Sequence, residues 1–324
     1  MNRILKYVLI ATGSILLLVI VAAVYWIYAP PPRSSPGPAG IQAAQIEIGG
    51  RTRSYLAYIP RHMVARPALL LAFHGLNDSA AGMRIRTAYR FEHLAESEGF
   101  IVVYPDGYQR SWNDCKKAAS YPARALHIDD IGFSEALIGR FQTDHGVDPK
   151  RVFAMGLSNG GHFSFRLALE RPDLVGAIAA VAANLPTPEN NDCQAAGVAV
   201  PAMFINGTED PLSPYQGGVA SIFGFWPRGT VLSSKASAEY FASLGAGRPM
   251  GVPEKLPRKD TRTWVERSVW RGANNHEVIL YTVHGGGHVF PQSSYRYPRL
   301  FGPTNQDLEG PDEIWKFFKS HPRP

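Results

Sequence analysis

Short apolar runs, separated by segments with helical spacing, constrain the fold of this chain more than any other feature. Runs made almost only of apolar residues fit strands that are buried on both faces of a sheet. We predict such strands at residues 68–73, 101–104, 151–155, 177–181, 202–205 and 278–283. We predict helices at residues 87–98, from the cap at 129–130 to 145, and at 159–170, 235–243 and 312–320. This alternation indicates an α/β fold whose central sheet is mostly parallel and has helices on both faces.

The N-terminal segment predicts a membrane helix. Residues 7–29 contain no charged side chain, and their 23 residues suffice for a helix to cross about 30 Å of hydrocarbon. Arg3 and Lys6 precede the segment and should stay in the cytoplasm, while Tyr25, Trp26 and Tyr28 suit the opposite interface. We favour an uncleaved signal anchor over a signal peptide cleaved near the small residues 21–23. Either alternative exports the rest of the chain.

Composition and spacing suggest three segments. Residues 1–29 form the anchor, residues 30–42 a Pro/Gly/Ser-rich linker and residues 43–324 one folded domain. The domain should open with an antiparallel hairpin of residues 45–48 and 54–59 at one sheet edge. The net charge is +6, but the basic residues are scattered among acidic ones, which argues against nucleic-acid binding.

A Gly-Leu-Ser-Asn-Gly motif at residues 156–160 carries the chemical prediction. It follows a predicted strand and opens a predicted helix, which is the context of a nucleophile elbow. Gly156 and Gly160 would let strand and helix approach closely, and Ser158 would present its hydroxyl at the strand end. The alternative is a structural turn without catalytic meaning.

A nucleophilic serine needs a base, and that base needs an orienting acid. In α/β-hydrolase folds, acid and base follow the nucleophile in that order. Asp210, in the loop after strand 202–205, is the favoured acid. Glu209 is its main rival, and Asp192 and Asp106 are weaker ones.

The favoured base is His288, at the far end of a three-glycine run after the last strand. His284, at the near end of that run, is the rival that we interpret as structural. His276 and His321 are predicted to face solvent.

Two backbone N–H groups are predicted to stabilise an oxyanion. One belongs to Asn159, which follows the nucleophile, and the other to Leu76, in the loop after the first buried strand. His74 is interpreted as a brace for that loop.

Seven motifs, in this order, resemble the polyhydroxybutyrate depolymerases and feruloyl or acetylxylan esterases of carbohydrate esterase family one. The resemblance covers roughly residues 46–318. It implies an α/β-hydrolase catalytic domain that hydrolyses carboxylic esters without metal or organic cofactor. It also implies the same triad and oxyanion donors. The motifs are HGLNDSA (74–80), YPDG (104–107), SWND (111–114), DDIGF (129–133), GLSNGG (156–161), NGTEDPLSPYQGG (206–218) and GGGHVFP (285–291).

The chain also departs from that family. Leu76 stands where Cys is frequent, and Phe290 stands where Trp is frequent. Aromatic side chains could line a substrate pocket, although core or loop packing is an equally good interpretation of each. The predicted pocket residues are Trp112, Tyr215 and Trp226, with Phe223 and Phe225 as further candidates.

The chain has two cysteines, Cys115 and Cys193, too few at this spacing for a metal site. Export would place them in an oxidising compartment, so we predict a disulfide, with two separate buried thiols as the alternative.

Together these features predict a serine carboxylesterase acting on small or oligomeric hydroxyalkanoate, feruloyl or acetyl esters. A serine peptidase on the same fold and a non-catalytic binding module are the alternatives.

Overall fold

An eleven-stranded sheet forms the centre of the structure, a computed structural model that describes residues 3–32 and 40–324. Its strands are β1 (Ile41–Ile48), β2 (Arg51–Tyr58), β3 (Leu69–Phe73), β4 (Ile101–Pro105), β5 (Val152–Leu157), β6 (Ala177–Val181), β7 (Ala202–Gly207), β10 (Arg248–Pro249), β11 (Glu254–Lys255), β12 (Trp264–Arg271) and β13 (Glu277–His284), while β8 (Gly218–Val219) pairs separately with β9 (Thr230–Val231). The spatial order is β1-β2-β4-β3-β5-β6-β7-β13-β12-β10, and β11 also pairs with β12. Six adjacent strands, from β4 to β13, run parallel, which confirms the predicted sheet.

Helices cover both faces of this sheet, as predicted. Successive strand residues point to opposite faces, so Leu69 and Leu71 enter one hydrophobic layer while Leu70 enters the other. The first layer also contains side chains of α5, α6 and α7, and the second those of α2, α3 and α8. The helices are α1 (Arg3–Ile27), α2 (Ala80–Arg86), α3 (Arg90–Glu98), α4 (Pro122–Ala125), α5 (Asp130–His145), α6 (Asn159–Glu170), α7 (Ser234–Leu244) and α8 (Gly310–Ser320).

Some predicted elements differ from the structure. The helix predicted at 87–98 begins only at Arg90, because Ala88 and Tyr89 have positive φ angles of 49° and 58°. Strand β12, which lies between β13 and the short edge strands β10 and β11, was not predicted, since charged residues interrupt its apolar pattern. His276 and His321 were wrongly predicted to face solvent. Both are buried, and their ring N–H groups donate to the carbonyl oxygens of Phe241 and Phe317, respectively.

The N-terminal helix α1 contains an apolar segment, Leu9–Ile27, with a mean hydropathy of 2.4. That segment is long and apolar enough to cross a membrane, and its described side chains are exposed. The predicted linker at 30–42 includes residues 33–39, which lie outside the described residues. The division into anchor, linker and catalytic domain stays a prediction.

Candidate active site

Ser158 occupies a sharp turn between β5 and α6. Its φ of 54° and ψ of −116° lie outside the regions that L-residues ordinarily adopt. The flanking glycines make this turn possible. A Cβ on Gly156 would lie 2.1 Å from the carbonyl carbon of Gly160, and one on Gly160 would lie 2.2 Å from the carbonyl oxygen of Phe73. The sequence therefore builds the strained turn typical of a nucleophile elbow.

His288 and Asp210 lie in the loops after β13 and β7, two neighbouring parallel strands. His288 Nδ1 is 2.7 Å from Asp210 Oδ2, and their side chains are 6% and 2% exposed. The other carboxylate oxygen of Asp210 accepts hydrogen bonds from the backbone N–H groups of Leu212 and Ser213, both at 2.8 Å. Asp210 is thus fixed by its own loop and orients the imidazole.

The rival residues make other contacts. Glu209 is exposed, and its backbone N–H donates to the carbonyl oxygen of Gly286 in the glycine run. His284 Nε2 is 2.7 Å from a carboxylate oxygen of Glu266, and its ring stacks on Trp264 with centroids 3.6 Å apart. The Asp106 carboxylate accepts hydrogen bonds from the Ser54 hydroxyl on β2 and from the backbone N–H of Ala80 at the start of α2. Asp192 pairs with Arg124.

The three glycines before His288 pack closely against neighbouring backbone. A Cβ on Gly287 would lie 2.0 Å from the carbonyl oxygen of Phe301, so a larger residue would not fit there. The backbone N–H of His288 donates to that same oxygen at 2.7 Å. The 301–303 segment therefore holds the histidine backbone in place.

Ser158 and His288 line one cavity of about 280 Å³. Asp78 and Arg86, which also line it, form an ion pair with 3.1 Å between Arg86 Nε and Asp78 Oδ2. The remaining wall residues come mainly from loops: Gly75, Leu76, Asn77, Leu157, Leu212, Ile222, Phe223, Arg228, Tyr297 and Phe301.

The loop after β3 runs beside Ser158. A Cβ on Gly75 would lie 3.6 Å from Ser158 Cβ, and the backbone N–H of Leu76 has no acceptor among the described residues. His74 braces the loop from beneath, because its Nδ1–H donates to the Gly75 carbonyl at 2.7 Å and its Nε2 accepts from Gly107 N at 2.9 Å. Burial lowers the pKa of His74, which suits this neutral bracing tautomer.

Asn159, the first residue of α6, is held by a buried polar network. Its side chain donates to Asp114 Oδ2 at 2.9 Å and accepts from the backbone N–H of Trp112 at 2.7 Å. Asp114 also pairs with Lys116 at 2.9 Å and accepts from Tyr121. Burial opposes ionisation of Asp114, but Lys116 and the hydrogen bonds outweigh it, so its pKa lies below the ordinary value. Because the first N–H groups of a helix lack intrahelical acceptors, that of Asn159 remains available to a ligand.

A disulfide joins Cys115 and Cys193 next to this network, with 5.0 Å between the two Cα atoms. Its presence confirms the predicted pairing. Since Cys115 adjoins Asp114, the disulfide fixes the loop that holds Asn159.

The three aromatic residues predicted to line the substrate pocket do not line the cavity. Trp112 is fully buried against Phe73 and Phe163, and its indole N–H donates to the His74 carbonyl, so it supports the site from below. Tyr215 does not line the cavity, because its hydroxyl bonds to Thr282.

Trp226 is 71% exposed and Phe225 is 69% exposed, and neither lines the cavity, whereas Phe223 does. Sequence reasoning missed Arg86, Arg228, Tyr297 and Phe301. They belong to no motif, and only the folding of distant loops brings them together.

Comparisons with known proteins agree with this architecture. Residues 76–219 match the profile of the dienelactone hydrolase family. The putative esterase NocK of Nocardia uniformis subsp. tsuyamanensis is 28% identical, covering 90% of this chain and 86% of that protein. Poly(3-hydroxyalkanoate) depolymerase C of Paucimonas lemoignei is 25% identical, covering 72% of this chain and 58% of that protein. An acetyl xylan esterase structure from Aspergillus awamori superposes with a TM-score of 0.54 at 16% identity, covering 86% of this chain and 99% of that one.

The chain covers most of the length of NocK. It covers less than two thirds of several other relatives, for example 23% of a bifunctional acetylxylan esterase/xylanase of Neocallimastix patriciarum and 39% of feruloyl esterase B of Piromyces equi. The structural likeness shows an α/β-hydrolase fold. The named relatives are esterases and a depolymerase of carboxylic esters.

Proposed function

We propose that this chain, whose residues 76–219 match the dienelactone hydrolase family profile, is a carboxylic ester hydrolase that cleaves its substrate through Ser158, His288 and Asp210. The observation that supports this most is the 2.7 Å contact of His288 Nδ1 with the buried Asp210 carboxylate, next to a cavity that Ser158 shares. In the neutral imidazole, Nδ1–H donates to Asp210, and Nε2 is then the unprotonated nitrogen that can act as a base.

In the proposed reaction, His288 Nε2 takes the Ser158 proton while Oγ attacks the ester carbonyl carbon. The imidazolium then protonates the leaving alcohol, and an acyl-enzyme remains. Water attacks this acyl group with His288 again acting as base, which releases the acid and restores the serine. Asp210 stays ionised and stabilises the imidazolium.

The N–H groups of Leu76 and Asn159 are the proposed donors to the tetrahedral oxyanion. The loop containing Leu76 passes beside Ser158, and the Asp114 network fixes Asn159. A donor of this kind is worth about 3 kcal/mol of transition-state stabilisation.

The cavity favours small esters or the ends of oligomers. Its volume of about 280 Å³ accommodates one short acyl or alcohol group, and its walls mix Leu212, Ile222, Phe223 and Phe301 with a few polar residues. We propose hydroxyalkanoate, feruloyl or acetyl esters as the substrate class.

We also propose that α1 tethers the enzyme to a membrane and that the catalytic domain is exported. The apolar segment Leu9–Ile27 and the disulfide support this placement. Cell fractionation tests it: full-length chain in the membrane pellet, accessible to protease from outside, is expected. A free, shortened chain would instead indicate cleavage of a signal peptide.

The test of function uses the full chain in mild detergent. We expect hydrolysis of at least one member of a panel of 4-nitrophenyl acetate and butyrate, methyl ferulate, acetylated xylan and hydroxybutyrate oligomers. Ser158→Ala should lower kcat by roughly 10⁵-fold or more, whereas the exposed control Ser243→Ala should retain activity. Retained activity in Ser158→Ala would mean a different nucleophile.

Two further readouts separate the alternatives. A fluorophosphonate probe should label the wild-type chain and not Ser158→Ala; a folded wild-type chain that resists labelling would indicate a binding module. Cleavage of peptide 4-nitroanilides at rates matching those of the esters would indicate a peptidase.

A further inference from the structure

Arg228 is a cavity-wall residue whose charge is left unpaired. It lies in the loop before β9, and its backbone is fixed: its N–H donates to the Ala220 carbonyl at 2.8 Å, and its carbonyl accepts from Asn190 Nδ2 at 3.1 Å. Its guanidinium makes no ion pair or hydrogen bond with any described part of the chain. The group lies over the Tyr121 ring, with Cζ 6.0 Å from the centroid.

The other charges near the cavity are already paired. Arg86 and Asp78 neutralise each other at the wall, with 3.1 Å between Nε and Oδ2. Asp114 attracts Arg228 from beneath, but that carboxylate already binds Lys116 and accepts a hydrogen bond from Tyr121. Among the described residues of the cavity wall, Arg228 is therefore left as a positive charge without an ion-pair partner.

This charge is partly desolvated. Arg228 is half-buried, and burial lowers the pKa of its guanidinium. A buried charge is costly unless an opposite charge pairs with it. An anion entering the cavity would supply that partner, and the planar guanidinium can donate two parallel hydrogen bonds to a carboxylate.

We propose that Arg228 forms a carboxylate subsite, so that the preferred substrates are esters carrying a free carboxylate on the portion that occupies the cavity. This inference rests on the proposed esterase function and narrows its substrate class, within which the acid ends of hydroxyalkanoate oligomers carry such a carboxylate. Half-acid esters of dicarboxylic acids and oligoesters with a free acid end belong to this class. Arg228 acts on binding and not on the bond-breaking steps.

The test compares two esters that differ in one group. 4-Nitrophenyl hydrogen adipate has a terminal carboxylate where 4-nitrophenyl hexanoate has a methyl group. The readout is the ratio of their kcat/KM values for the full chain in neutral detergent. Arg228→Gln should lower the adipate-to-hexanoate ratio by about 10- to 100-fold, the loss expected for a charge-assisted hydrogen bond.

Three controls sharpen this measurement. Arg140→Gln removes an exposed arginine on α5 and should leave the ratio unchanged. Arg228→Lys keeps the positive charge but cannot donate two parallel hydrogen bonds to a carboxylate, so it should give an intermediate ratio. Added salt should lower the wild-type ratio and have less effect on the Arg228→Gln ratio. A ratio that Arg228→Gln changes by less than about threefold would overturn the subsite.

A binding measurement separates this proposal from the proposed function. Calorimetry with Ser158→Ala should show binding of the adipate monoester that weakens by about 10-fold or more when Arg228→Gln is added. Weaker binding in the double variant supports the subsite even if the wild-type chain hydrolyses neither ester. Absent hydrolysis would refute the proposed esterase function and leave the subsite standing. Equal binding by both variants would overturn the subsite.

Discussion

His162 provides a direct test of the packing beneath Ser158. Its side chain is buried on α6, and its Nδ1–H donates to the Ser158 carbonyl at 2.8 Å. Its Nε2 has no hydrogen-bond partner in the described structure. Burial, followed by the positive charge of Lys116, lowers the pKa of His162 to about 3. The native chain thus holds a neutral imidazole where a charged one would be destabilising.

The sign of the pH effect follows from this lowered pKa. The His162 pKa in the unfolded chain is about 6.5, so below that pH the unfolded chain binds a proton that the native chain excludes until about pH 3. The free energy of unfolding contributed by His162 is therefore fully present above about pH 6.5 and is lost as the pH falls towards 3. At about 1.4 kcal/mol per pH unit, the total loss is at most about 5 kcal/mol.

The assay compares wild type with His162→Asn, whose amide can still donate to the Ser158 carbonyl but does not titrate. Urea unfolding of the full chain in mild detergent gives the free energy of unfolding from about pH 7 to about pH 4. Wild type should lose about 1 kcal/mol more per pH unit than the variant below pH 6.5. The exposed control His62→Asn should follow the wild-type curve. Parallel curves for wild type and His162→Asn would refute the reasoning.

Three further predictions test the turn, the disulfide and the acid. Gly160→Ala should destabilise the chain by about 3 kcal/mol or more, because the new Cβ would lie 2.2 Å from a backbone oxygen. The control Gly139→Ala, in open space on α5, should stabilise the chain by about 0.5–1 kcal/mol. Thermal unfolding of the two variants measures both effects. Replacing Cys115 and Cys193 together by Ser should lower stability by about 2–5 kcal/mol, and reductant should reproduce this in wild type. Asp210→Asn should fold normally but lower kcat by about 10⁴-fold, and a loss below about tenfold would remove it from the proposed triad.

The sheet was predictable because its signals are local. Each central strand is a short run of consecutive apolar residues, such as Leu69–Phe73, and the elbow around Ser158 lies wholly between one strand and the next helix. The acid and base candidates follow from chain order, since neighbouring parallel strands end at the same sheet edge. The structure brings Asp210 and His288 together there. Their catalytic roles remain predictions.

The residues that were not anticipated depend on long-range packing. Arg228 reaches the cavity from one loop, and Tyr297 and Phe301 reach it from a segment much later in the chain, and no local pattern marks them. Trp112 was expected at the substrate, but its loop passes under Asn159 and buries the indole. Both outcomes have one cause: a side chain in an irregular segment is placed by what packs against that segment.

This division between strand ends and loops also separates the residues of the proposed reaction from the residue proposed to select the substrate. Ser158, Asp210 and His288 are fixed at the ends of parallel strands, where steric and hydrogen-bond constraints leave little freedom. Arg228 instead projects from a loop whose backbone is fixed by two hydrogen bonds, and its guanidinium makes no ion pair or hydrogen bond with the described residues. Substitutions at Arg228 can therefore alter which ester is bound without altering the geometry of the proposed triad. Among proteins that share this scaffold, substrate class should diverge faster in evolution than reaction type, because the loop positions carry fewer structural constraints than the strand ends.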